Sequence, residues 1–168
     1  MTTKKSLWFL FGMLAILAWI LGSAILAGAE KLSYKNYTWV IKSDGVPVDD
    51  VEGHTVGYSN RAAFYVFENG EVATINHVAT YDFIKGSGPF MQYVTIKFED
   101  GSTITFKSQG TMETASVKMT SEILKGTGRF VGIKGTQSAK IKYLPLEKGD
   151  AGPRGYGEGT ITYTLPPK

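Results

Sequence analysis

From Leu32 onward the chain alternates apolar and polar residues with period two, and Gly, Asn or Asp breaks the alternation at intervals of about ten residues. Such a pattern predicts half-buried β-strands joined by short turns. Phe64-Tyr65-Val66-Phe67 and Val72-Ala73-Thr74-Ile75 flank Glu68-Asn69-Gly70-Glu71, a strong hairpin signal because Asn and Gly adopt positive φ at little cost. A second hairpin lies around Asp100-Gly101. A two-residue loop there mixes the faces, whereas a three-residue loop Asp100-Gly101-Ser102 pairs Phe98 with Ile104 and Ile96 with Phe106. The apolar face then holds Val94, Ile96, Phe98, Ile104 and Phe106. Alternation returns with Val117, Met119 and Ile123, then Ala139, Ile141 and Tyr143, and finally Ile161, Tyr163 and Leu165 before Pro166-Pro167 stops the ladder. No long helical pattern interrupts this series. The expected fold is all-β: about eight antiparallel strands in a closed up-and-down barrel, with a two-sheet sandwich as the alternative.

The N-terminus follows a different pattern. Lys4 and Lys5 precede an apolar stretch from Leu7 to Leu26, and Ala27-Gly28-Ala29 supplies small residues at its end. This order reads as a signal helix over residues 1–29, cleaved before Glu30, leaving residues 30–168 as one barrel domain. The alternative is an uncleaved membrane anchor, since the apolar run is long enough to span a bilayer. Both readings place the domain outside the cytoplasm, periplasmic or secreted, because the two lysines stay inside.

Composition narrows the function. The sequence is 43% hydrophobic, 20% charged and free of cysteine, so an exported fold must rely on its core rather than on disulfides. Thiolate metal sites and cysteine nucleophiles are excluded. The net charge of +3 includes both signal lysines, so the remaining domain is close to neutral and lacks the basic balance of a nucleic-acid binder.

The glycine-rich run Gly126-Thr127-Gly128-Arg129-Phe130-Val131-Gly132-Ile133-Lys134-Gly135 matches no phosphate-binding spacing and precedes no helix, so it reads as turns between strands. With the Gly157-Glu158-Gly159-Thr160-Ile161-Thr162-Tyr163 strand, it resembles the allene oxide cyclase-like barrel superfamily, which includes plant dirigent proteins. Asp82-Phe83-Ile84-Lys85-Gly86-Ser87-Gly88-Pro89 is similar to bacterial members. The resemblance spans residues 35–166. It implies an eight-stranded barrel, usually a homo-oligomer (dimer or trimer), with an apolar interior pocket. It further implies binding of a hydrophobic small molecule whose cyclisation or coupling is steered without cofactor or metal.

The interior can also be read from the strand Val72 to Ile84. Its odd positions are Ala73, Ile75, His77, Ala79, Tyr81 and Phe83, and across a tight Asn69-Gly70 turn they face Val66, Phe64 and Ala62. Alanines beside His77 and Tyr81 would leave room for a ligand. His77 and Tyr81 are therefore the candidate catalytic residues, with Phe64, Ile75, Phe83, Tyr143 and Tyr163 as candidate ligand contacts. The competing reading of His77 is a core histidine bonded to a neighbouring hydroxyl. His54 reads as a solvated turn residue. Glu113 and Glu147 lie near strand ends, within reach of a barrel mouth. The loop from Glu147 to Gly157 is placed to form a lid, with Arg154 and Tyr156 toward the ligand. Two function classes follow: a barrel that holds an apolar molecule, with or without cofactor-free isomerase or cyclase chemistry, or a non-catalytic envelope protein with a filled interior. A cavity of several hundred cubic ångströms separates them.

Overall fold

In the computed structural model, which describes residues 28–113 and 116–167, every stretch of alternation becomes a strand. The strands are β1 (Glu30–Pro47), β2 (His54–Phe67), β3 (Val72–Ile84), β4 (Gly88–Phe98), β5 (Thr103–Glu113), β6 (Ser116–Gly126), β7 (Lys134–Tyr143) and β8 (Gly155–Thr164). They form a closed antiparallel barrel in chain order, and the two-sheet alternative is set aside. A short 3₁₀ turn, Gly128–Phe130, joins β6 to β7. The signal reading falls almost entirely outside the described residues.

The β2–β3 and β4–β5 turns are built alike. In the first, Phe67 N–H donates to Glu71 O at 2.9 Å and Gly70 N–H to Phe67 O at 3.0 Å. In the second, Phe98 N–H donates to Ser102 O and Gly101 N–H to Phe98 O, both at 3.0 Å. Both are three-residue loops, Glu68-Asn69-Gly70 and Glu99-Asp100-Gly101, ending on a glycine at φ +84° and +80°. The second loop starts one residue earlier than expected, so Ile96 pairs with Ile104 and Val94 with Phe106, yet the apolar face is the one read from the sequence. The first loop has the larger consequence. Pairing Phe64 with Thr74 and Ala63 with Ile75, instead of Phe64 with Ile75, turns β2 over. Its inward residues are Ser59, Arg61, Ala63, Tyr65 and Phe67, and Phe64 is on the outside. Each turn glycine lies in the left-handed region, so Gly101→Ala is expected to cost about 1–2 kcal/mol, read as a lower urea midpoint.

The barrel interior has two unlike halves. At the end carrying the β2–β3, β4–β5 and β6–β7 connections, Phe67, Phe98, Phe106, Ile96, Ile104 and Ile161 form one packed cluster with Phe130. Arg129 braces this end from outside: it pairs with Glu71 at 2.5 Å and Asp100 at 3.5 Å, and its guanidinium lies over the Phe98 and Phe130 rings. The glycine-rich run is the β6–β7 turn its composition suggested, and its Phe130 also plugs this end of the barrel.

Midway along the barrel the inward positions become polar. Ser108 and Ser121 share a hydrogen bond at 2.7 Å, and Gln137 bonds the Tyr34 hydroxyl. Beyond this belt the other half is open, and a bulge in β1 between Val40 and Lys42 prepares it. The bulge resets the alternation, so Ser43 lines the interior while Ile41 and Lys42 are exposed.

Candidate functional site

The open half encloses a cavity of about 370 Å³. Its apolar wall includes Ala79, Phe83, Phe90, Val117 and Ile141, and its polar base is made by Thr38, Ser59, His77 and Gln92, with Arg61 reaching from beside them toward the mouth loop. The base is a bonded series across strands. Gln92 Nε2 donates to Met119 Sδ at 3.1 Å, which turns its amide oxygen toward His77 Nδ1 at 3.0 Å. That nitrogen therefore carries the proton. His77 Nε2 lies 3.4 Å from Thr38 Oγ1, whose hydroxyl donates to Ala62 O at 3.1 Å. Burial pushes the imidazole down to about 4, the Gln92 hydrogen bond pulls it up by less, and the charge of Arg61 lowers it again. His77 is thus neutral at ordinary pH and offers an unprotonated Nε2.

Arg61 sits opposite His77 on β2 and is only 7% exposed. Its Nη2 donates to Pro153 O at 2.9 Å, and its guanidinium lies 5.5 Å from the centre of the Tyr143 ring. Burial lowers its pKa, with Tyr143 acting in the opposite direction. No Asp or Glu occurs among the described residues lining the cavity.

Tyr81 lies nearer the mouth, stacked on Phe83 at 4.7 Å, and its hydroxyl donates to Asp44 O at 3.2 Å. Gly45 makes room for it, since a Cβ there would lie 2.7 Å from the Tyr81 oxygen. The β7–β8 connection crosses the mouth, closed at its neck by Leu144 N–H donating to Arg154 O at 2.8 Å. Ala151, Gly152 and Pro153 face the cavity. Arg154 does not; it pairs with Glu147 at 2.8 Å and Asp150 at 3.2 Å, and Tyr156 is exposed.

The sequence-derived site residues therefore separate. His77, Tyr81, Phe83 and Tyr143 share the cavity. Ile75 and Tyr163 belong to the packed half, too far down the barrel to line it. Phe64 is 47% exposed and packs on Trp39 on the outer face, with ring centres 5.4 Å apart, because the β2 register is shifted by one residue. Arg61, Gln92, Ser59 and Thr38 went unread. Arg61 was discoverable, because a three-residue loop at Asn69-Gly70, the length chosen for the similar Asp100-Gly101 turn, sets Arg61, Ala63 and Tyr65 on the same face as His77.

His54 is not a solvated turn residue. Its Nδ1 and Nε2 contact Asp50 at 2.5 Å and Asp82 at 2.7 Å, tying the β1–β2 turn to the end of β3. Donation from both ring nitrogens requires the imidazolium, and the Asp50 hydrogen bond, then that of Asp82, raises the pKa. The clip is therefore present below about pH 6.5 and is lost as pH rises through the raised folded value. An NMR titration is expected to separate the two imidazoles, His54 titrating above its ordinary value and His77 far below. Coincident titrations near that ordinary value would refute the assigned partners. Among the described residues no group of three His, Cys, Asp or Glu side chains is arranged to hold a metal.

An eight-stranded barrel, plugged at one end and hollow at the other, defines the structural class. No protein-family model and no curated protein matches the sequence. Among solved structures, the pterocarpan synthase dirigent protein PsPTS1 is similar with a TM-score of 0.55 at 15% identity, covering 83% of this chain and 97% of its own. A second pterocarpan synthase dirigent protein, GePTS1, has a TM-score of 0.51 at 15% identity, covering 82% of this chain and 89% of its own. A protein of unknown function from the DUF3224 family of Shewanella oneidensis MR-1 has a TM-score of 0.53 at 16% identity, covering 83% of this chain and 99% of its own. The chain has a dirigent-like barrel fold.

Proposed function

We propose that this protein is an exported barrel that binds a small, largely apolar molecule in the open half of its interior. The cavity of about 370 Å³ carries this reading, because the same barrel fills its other half with tightly packed side chains. Leaving one half unfilled forfeits packing contacts that a ligand would restore. The alternative, a barrel filled throughout, would place large side chains where Ala79, Ser59 and Gly152 stand.

The chemistry available is positional. His77 accepts a hydrogen bond at Nε2, Thr38 and Ser59 contribute hydroxyls, and Phe83 and Phe90 supply flat apolar surface. A flexible substrate held in one conformer loses the entropic part of the barrier to cyclisation or isomerisation. No cofactor is required for that step. The likeness to proteins named as pterocarpan synthases supports a fold suited to such work. The reading of residues 1–29 as an export signal supports a periplasmic or secreted location for this activity.

Ala79→Trp tests the proposal. The indole would occupy the cavity, so 1-decanol binding, measured by calorimetry on the purified protein, is expected to fall at least about tenfold, the equivalent of about 1.4 kcal/mol. Retention of full affinity by a folded Ala79→Trp variant would place the ligand elsewhere.

A further inference from the structure

The cavity contains a charge that nothing in its lining balances. Arg61 is buried, and its hydrogen bond to Pro153 O is its only one among the described residues. A guanidinium has five N–H donors in a planar fork, so most of this capacity is unused by the protein. The cavity's remaining polar groups cannot neutralise it. His77 is a neutral ring, Gln92 is committed to His77 and Met119, and Thr38 and Ser59 carry only hydroxyls. A buried cation without a counter-charge is unfavourable, and substitution by an apolar residue of similar size would ordinarily relieve it. Tyr143 stabilises the guanidinium through its ring face, which positions the charge without cancelling it.

Resting on the binding reading above, we propose that the ligand of this barrel is an apolar organic acid whose carboxylate pairs with Arg61 beside the mouth loop and whose hydrocarbon body lies against Phe83, Phe90, Val117 and Ile141. The lining matches that shape: one planar cation, held against Pro153 and Tyr143, in a cavity otherwise walled largely by apolar side chains. A carboxylate fits the fork through two parallel hydrogen bonds. No lysine lines the cavity among the described residues and no helix terminus points into it, so it lacks the additional donors a phosphate would use. The Arg61 bond to Pro153 connects the acid site to the mouth loop. An incoming carboxylate competes for the same donor, so occupancy would loosen or reposition that loop.

The test compares decanoate with 1-decanol, which share a chain length and differ in charge, by calorimetry on the purified protein at pH 7. Decanoate is expected to bind at least about tenfold more tightly, and Arg61→Met to bring the two affinities close to equal while decanol binding persists. Arg61→Lys keeps the charge but not the fork, so an intermediate preference is expected, and it provides the readout should Arg61→Met fail to fold. Relief of the unbalanced charge is also expected to raise the unliganded melting temperature of Arg61→Met by a few degrees. Equal binding of the two probes by the wild type, or a decanoate preference that survives loss of Arg61, would overturn this assignment and leave the binding barrel standing. Failure of both probes to bind would overturn both readings.

Discussion

Replacing Phe106 with Ala should destabilise the barrel by about 3–5 kcal/mol, whereas Phe90→Ala should cost less than about 2 kcal/mol. The two phenylalanines lie on neighbouring strands and both face inward, so local propensity does not distinguish them. Their surroundings do. Phe106 is wholly buried in the packed cluster beside Ile96 and Ile104, and its truncation leaves a void between rigid neighbours. Phe90 is partly exposed to the cavity, so its truncation enlarges a space that already exists. Urea unfolding of both variants measures the contrast. Equal losses would mean that the interior is uniformly packed.

Acidification from pH 6.5 to 4 should remove about 3 kcal/mol of stability through His77. The folded imidazole is depressed to about 4 by burial, so the unfolded chain binds a proton throughout this interval while the folded chain resists it. Stability from this residue is therefore present above the unfolded value and lost as pH falls toward the folded one. The lowered carboxyls of Asp50 and Asp100 act below this window, and the raised imidazole of His54 acts above it. His77→Gln should flatten the stability profile between these limits. Arg61→Met should narrow the dependence, because loss of the neighbouring positive charge lets the His77 pKa rise. A wild-type profile that is flat in this interval would mean that His77 is solvated and does not form the buried base of the cavity.

Much of the fold was legible because the inward residues of β4 to β8 alternate cleanly with Lys, Thr and Glu. The β2 strand resisted the same treatment. Ala62, Phe64 and Val66 on one side and Ala63, Tyr65 and Phe67 on the other are both apolar, so only the turn length could decide its face. A turn one residue too short placed Phe64 inside and Arg61 outside. The polar belt was hidden for another reason. Ser108, Ser121 and Gln137 are inward yet polar, and an alternation argument treats such residues as outward or as breaks. Their pairing across strands becomes visible only once registers are set. The bulge at Ile41 changes which β1 side chains face the cavity in the same way, through one residue that periodicity does not expose.

One half of the barrel is solid, and the other is proposed to receive a ligand. Methyl NMR of the purified protein titrated with 1-decanol tests it most directly, because both halves carry reporters. Shifts are predicted at Met112, Val117, Met119 and Ile141 around the cavity, with Ile96, Ile104 and Ile161 in the packed cluster unmoved. Perturbations confined to exterior methyls such as Val66 and Val78, with the cavity methyls silent, would contradict it.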